Sequence, residues 1–179
     1  MTMTGMPFID HLRSTDPPWV QLVVLKEEQE FDFEDLRTQL PGYVIKVADG
    51  TECKNRSDLF SEFARLLEFP AYFGRNWDAL DECITDLEWM PGLGYVLIVK
   101  NADRLLSEET HGNYGIFIRT MKKAGEEWST PQTGEWARPG VAFHLLLTVS
   151  ESKRNKRADW TIPEIPHEFL DVDGGGLTI

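Results

Sequence analysis

Only two cysteines occur, Cys53 and Cys83, and they show no Cys-x-x-Cys spacing. Two are too few for a disulfide framework. Long apolar runs are missing as well. Tyr95–Val99 and Val141–Leu147 are the longest, far short of a membrane span. The opening MTMTGMPFIDHLR has no basic segment followed by an apolar one, so no secretory leader is expected, and a reducing, cytoplasmic location is. Positive charge is scarce: 18 Lys and Arg stand against 30 Asp and Glu, a net charge of −12. That balance repels nucleic acid and anionic membrane, so neither is an expected partner, while a basic protein is compatible with it. The signatures GxSxG, Walker A and the dinucleotide fingerprint are absent. HEFLD at 167–171 lacks the second histidine of a zinc protease. The sharpest deficit is local: between Arg75 and Lys100 there is no Lys, Arg or His.

What is present suits one globular domain. A chain of 179 residues with six Trp and ten Phe can bury a sizeable core. Residues 1–18, ending in Pro17-Pro18, read as an irregular leader. Trp19–Leu25 (WVQLVVL), Tyr43–Val47, Tyr95–Val99 and Val141–Val149 are short apolar runs that predict four strands, the first buried on both faces. Helices are expected between them. One carries Phe33, Leu36 and Leu40; the next, capped by Ser57, carries Leu59, Phe63, Leu66 and Leu67 and is stopped by Pro70. An acidic helix is ended by Pro91-Gly92, and a last one through Tyr114, Phe117, Ile118 and Met121 is terminated by Gly125. Residues 126–140 read as a turn-rich loop whose Trp128 and Trp136 suit either core or a second partner surface. From Glu151 onward the chain reads as an extended tail with a solvated basic cluster. Strands alternating with helices predict an α/β fold with a small parallel sheet.

The acidic helix follows the loop PAYFGRNW. Asn76 is placed to cap it, and Asp78 lies in its first turn, where the helix dipole favours negative charge. At about 100° per residue, Leu80, Cys83, Ile84 and Leu87 share one face, and Asp78, Asp81, Glu82, Thr85 and Asp86 share the other. Asp78 and Glu82 are a like-charge i, i+4 pair, a cost of roughly 0.2–0.5 kcal/mol in isolation. A solvated acidic face would tolerate that. The flanking Tyr72, Phe73 and Trp77 are what a binding surface needs beside steering charges, although core packing must claim at least one of them.

The stretch PAYFGRNWDALDEC resembles the motif P-x-Y-[YF]-G-x-N-x-D-A-L-x-[DE]-C of the barstar family, inhibitors of secreted microbial ribonucleases. Upstream, DGTECKNRSDLFSEFARLLEFP is similar to the family's turn and capped helix. Downstream, GYVLIVKNADRLL and VAFHLLLTV resemble its strands, so the likeness covers roughly residues 43–149. The resemblance implies a barstar-like three-layer domain over 43–150, with a 1–42 addition packed on it and a 151–179 tail. It also implies that the loop and acidic helix plug a ribonuclease active site. Tyr72 and Phe73 would be aromatic contacts flanked by Asn76 and Trp77; Asp78 and Glu82 would meet the enzyme's phosphate-binding cations; Asp81 and Thr85 fall on the same surface. Glu82 is a methylene longer than the family's usual aspartate, and Asp81 stands where the founding member has tryptophan. A further acidic contact has no secure equivalent, Glu126 and Glu127 being the candidates. No cofactor or metal is implied, and an EF-hand-like loop is absent.

Two other readings compete. One is a barstar-like interaction module or immunity protein for a partner that is not a ribonuclease. The other is an enzyme, but carboxylates on the outside of one helix suit docking better than catalysis, which needs a cleft around a scissile bond. His11, His111, His144 and His167 are scattered, and His144, inside an apolar strand, reads as a core histidine.

Overall fold

The computed structural model describes residues 8–165. Four strands, β1 (Val20–Leu25), β2 (Val44–Asp49), β3 (Gly94–Lys100) and β4 (Ala142–Ser150), form an all-parallel sheet in the order β1-β4-β3-β2. Six helices accompany them: α1 (Phe8–Arg13), α2 (Phe33–Gln39), α3 (Arg56–Leu66), α4 (Trp77–Asp86), α5 (His111–Ser129) and α6 (Glu151–Arg154). The α/β architecture is the one the alternating pattern predicts.

Side chains of a strand alternate between faces, and both faces here are covered. Leu22, Val24, Leu97, Val99, Leu145 and Leu147 point to one layer, where they meet α3, α4 and α5. Val23, Val96, Ile98 and Leu146 point to the other, closed by Phe8 and Leu12 of α1, Leu36 of α2, and Ile165. Continuous apolar runs follow directly, since a strand buried on both sides has no polar face.

Several expectations about the ends of elements give way to packing. The 1–18 leader is not irregular throughout: residues 8–13 are helical, and Phe8, His11 and Leu12 are buried. His144 is the core histidine expected. It is wholly buried, its Nε2–H donates to the Ser14 carbonyl at 2.9 Å, and its ring lies 4.8 Å from His11, whose Nε2 faces the Pro18 carbonyl at 3.1 Å. Burial, and then the neighbouring His11, push the His144 pKa down to about 4.

Helix α3 is capped by Asn55 rather than Ser57. Asn55 Oδ1 accepts from the Asp58 amide at 3.0 Å, and its side-chain amide donates to the Asp58 carboxylate at 2.7 Å. Its helical residues end at Leu66, short of Pro70.

Gly125 does not end α5, which runs on to Ser129. A Cβ at Gly125 would stand 2.3 Å from Trp19 Cγ, so glycine there admits the close approach of the residue that precedes β1. Trp128 accordingly belongs to the helix and the core, while Trp136 is 78% exposed.

The segment after β4 is not an extended tail as far as Ile165. Trp160 is buried, the Tyr114 hydroxyl donates to its carbonyl at 3.1 Å, and residues 163–165 bridge the outer edge of β1 through Leu22. HEFLD and Gly174–Gly176 lie outside the described residues. No helix among the described residues is long and apolar enough to cross a membrane.

Candidate functional site: the acidic face of α4

Helix α4 begins where Asn76, in extended conformation, accepts the Ala79 amide at 2.9 Å. Such a cap contributes about 1 kcal/mol. The helix ends at Leu87, ahead of the Pro91-Gly92 expected to stop it. Leu87 adopts the left-handed conformation (φ 44°) that glycine ordinarily supplies. That costs about 1–2 kcal/mol. Leu87 is fully buried, and burying a leucine side chain contributes roughly 1.5–3 kcal/mol, which offsets the strain. Leu80, Cys83 and Ile84 hold the same face against the core.

The outward face carries Asp78, Glu82 and Asp86 as a stripe at i, i+4 and i+8, all three exposed. None of them forms an ion pair among the described residues. The nearest cation in sequence, Arg75, turns away: its guanidinium donates to Ser61 Oγ on α3 at 2.7 Å. Like charges therefore line one helix with no internal relief, a modest cost that a solvated helix bears and an oppositely charged partner would remove.

Asp81 differs from its neighbours. It is half-buried, and Lys123, one helix over on α5, donates to its Oδ2. Lys123 also lies 3.4 Å from Glu127, and its pKa is raised first by the hydrogen bond to Asp81. Asp81 thus spends its charge within the fold, and so does Glu127, in part. No sequence signal links positions 81 and 123; the pair exists because α4 packs beside α5. Thr85 is half-buried too, and its hydroxyl donates back to the Asp81 carbonyl at 2.8 Å.

The aromatic residues divide. Phe73 is half-buried between Phe69 (ring centroids 4.9 Å apart) and Phe60 (6.2 Å). Trp77 stands edge-on to Phe60 at 5.0 Å, and its indole N–H points to Asn113 Oδ1 at 3.4 Å, which braces it between α3 and α5. Tyr72 alone of the three is open, at 69% exposure. Its phenol pKa is pushed up by partial desolvation and then by Cys83, Asp86, Glu82 and Glu88, which places the ring in the acidic field of α4. Tyr72 thus lies within electrostatic reach of Glu82 and Asp86, while α5 packs beside α4 and brings Lys123 to Asp81.

The surface carries free carboxylates and one open aromatic. Among the described residues no three His, Cys, Asp or Glu side chains group to hold a metal ion.

Comparisons with known proteins bear on the family and on the fold. The family model described as "Barstar (barnase inhibitor)" matches residues 43–148. A Bacillus subtilis (strain 168) protein named "Putative ribonuclease inhibitor YrdF" is 33% identical over 82 residues, 45% of this chain and 85% of that protein. Among solved structures, the Aeropyrum pernix ORC2 protein in its ADPNP-ADP complexes superposes with a TM-score of 0.52 at 13% identity. The match covers 91% of this chain and 45% of that one, a likeness of fold alone. With a family model spanning more than half its length and a relative at 33% identity, the chain belongs to the barstar family.

Proposed function

We propose that the protein is a non-catalytic inhibitor of a basic microbial ribonuclease, with α4 and the Tyr72 loop entering the enzyme's active site. The observation that carries this reading is the unpaired stripe Asp78–Glu82–Asp86, exposed on a helix whose one other charge, Asp81, is paired internally with Lys123. A ribonuclease gathers Arg, Lys and His around its substrate's phosphate. Carboxylates one helical turn apart offer those groups an anionic substitute, and a good interface desolvates the pairs. Close charge pairs of this kind are net favourable at the barnase–barstar interface.

Within this reading Asp78 and Glu82 supply charge and Tyr72 supplies open contact area. Asn76 fixes the start of α4, while Phe73 and Trp77 hold the loop against α3. Asp81 and Thr85 lie at the edge of the surface, the former shielded by Lys123. The name of the Bacillus relative supports the choice of a ribonuclease as target.

Residual RNA cleavage and complex formation against a panel of basic microbial ribonucleases, at low and moderate salt, test the proposal. The wild type should inhibit at least one enzyme, more weakly as salt rises, and Asp78→Ala/Glu82→Ala should abolish the effect. Failure of the wild type to bind any of them would count against ribonuclease inhibition.

A further inference from the structure

The connection between α5 and β4 carries Trp136, the most exposed large apolar side chain among the described residues, at 78% exposure. The other tryptophans of the C-terminal half, Trp128 and Trp160, are buried, so this indole is set apart from the core. A tryptophan left in water forgoes the largest apolar burial any side chain offers.

Its support is rigid. The Gln132 amide donates to the Arg138 carbonyl at 2.9 Å and the Arg138 amide donates back at 3.2 Å, closing a short antiparallel bridge beneath the Gly134–Trp136 turn. Gly134 takes φ +85° at the start of that turn, where open space surrounds it. Arg138 is the clamp: its guanidinium lies 4.4 Å over the Trp128 ring and donates to the carbonyls of Trp128 (3.0 Å) and Glu127 (3.1 Å). The Trp128 indole in turn donates to the Ile84 carbonyl, in the last turn of α4, at 2.9 Å. Direct contacts therefore run from α4 to the base of the turn. An aromatic on such a braced turn loses little conformational entropy on binding.

Charge and position indicate what would cover it. Glu126 and Glu135 are exposed around the turn and continue the acidic character of α4, while the nearby cations Lys123 and Arg138 are committed to internal acceptors. Ile84, between Glu82 and Asp86 in sequence, is joined through Trp128 to Arg138 at the turn's base, so the stripe and the turn are neighbours in the fold. A standard interface of about 800 Å² per partner is roughly 30 Å across and spans both.

The geometry points to Trp136 as a second anchor for the same basic partner. This inference rests on the inhibitor reading. With α4 in the phosphate site, the 132–138 turn meets the enzyme outside that site, where the indole face packs against an arginine or lysine side chain. Residues outside an active site are free to differ between ribonucleases, so this contact selects among them while the carboxylate stripe meets what they share.

The test is binding kinetics of wild type, Trp136→Ala, Trp136→Phe and Asp78→Ala/Glu82→Ala against the ribonuclease panel, over a range of salt. Trp136→Ala should keep the wild-type melting temperature. On the tightest-bound enzyme it should raise koff roughly tenfold to a hundredfold and leave kon and its salt dependence nearly unchanged. Trp136→Phe should recover part of the loss. The double variant should instead lower kon at low salt and flatten its salt dependence. If the double variant loses binding while Trp136→Ala binds as wild type does, the inhibitor reading stands and the second anchor is wrong. If no enzyme binds the wild type, both fall.

Discussion

Two glycines on α5 should respond to alanine with opposite signs. In a helix interior, Gly→Ala ordinarily stabilises by about 0.5–1 kcal/mol, because glycine has more backbone freedom to lose. At Gly115 the added methyl meets only the far end of Arg119, at 3.4 Å, so the full gain is expected. At Gly125 it would lie 2.3 Å from Trp19 Cγ and 2.4 Å from Trp19 Cβ. Those atoms adjoin the Trp19 backbone, whose carbonyl accepts from Leu145 at 2.8 Å, and the indole N–H is tied to the Thr15 carbonyl at 2.9 Å. A side-chain rotation therefore cannot relieve the overlap without breaking one of these bonds. Overpacking of this kind costs about 1–3 kcal/mol, and the closeness of the contact argues for the upper half of that range. Subtracting the propensity gain leaves a net loss of about 1–2 kcal/mol. At 2–4 °C per kcal/mol for a chain of this size, Gly125→Ala should melt roughly 2–8 °C lower and Gly115→Ala roughly 1–4 °C higher. Urea titration at pH 7.5 and thermal melts by circular dichroism both measure this. A Gly125→Ala protein as stable as the wild type, or two variants of the same sign, would refute the packing of Trp19 onto α5.

Two further outcomes bear on charge. The folded pKa of His144, about 4, lies below its ordinary 6.5, so the unfolded chain takes up more protons once the pH drops below about 6.5. Its stabilising effect is complete above that value and declines toward pH 4; between pH 7.5 and 5 the loss is on the order of 2 kcal/mol, read from urea midpoints, and a flat profile over that window would contradict the burial of a neutral His144. Lys123→Met should change stability by less than about 1 kcal/mol, because the Lys123 side chain is 53% exposed. By removing a cation beside the acidic stripe it should also raise the low-salt kon for a basic ribonuclease severalfold, measured by stopped flow; slower association would contradict electrostatic steering by this face.

The strands, their parallel arrangement and the two faces of α4 were legible in the chain because each rests on a strong local pattern: an unbroken apolar run, a crossover-length helix, a 3.6-residue period. The Asn76 cap was legible for the same reason. What escaped depends on residues far apart in sequence. Helix α1 is six residues long, too short for a period, and it is held by Leu12 in the core and by His11 against His144, a partner 133 positions away (144 − 11). Trp160 and Ile165 sit singly in a segment of prolines and charges, and only the outer edge of β1 and the Tyr114 hydroxyl give them a place. Gly125 reads as a stop until Trp19 is seen against it. Within the site, Asp81 reads in the sequence as one more acid beside Asp78 and Glu82, and only the packing of α5 beside α4 sets it apart. The Asn55 cap could have been found: in Asn-x-x-Asp at 55–58 the asparagine accepts from the Asp58 amide while its side-chain amide donates to the Asp58 carboxylate, a pairing Ser57 has no counterpart for.

Phosphate mimicry by α4 makes a kinetic claim that binding alone does not. Steady-state RNA cleavage by a ribonuclease that the protein inhibits should be measured at several inhibitor concentrations, with Asp78→Ala/Glu82→Ala in parallel. A helix seated in the phosphate site excludes substrate, so the apparent KM should rise with inhibitor while kcat stays unchanged, and the double variant should leave both unaltered. A fall in kcat at constant KM, or an undiminished effect of the double variant, would put the docking surface away from the enzyme's phosphate site and contradict the role assigned to Asp78 and Glu82.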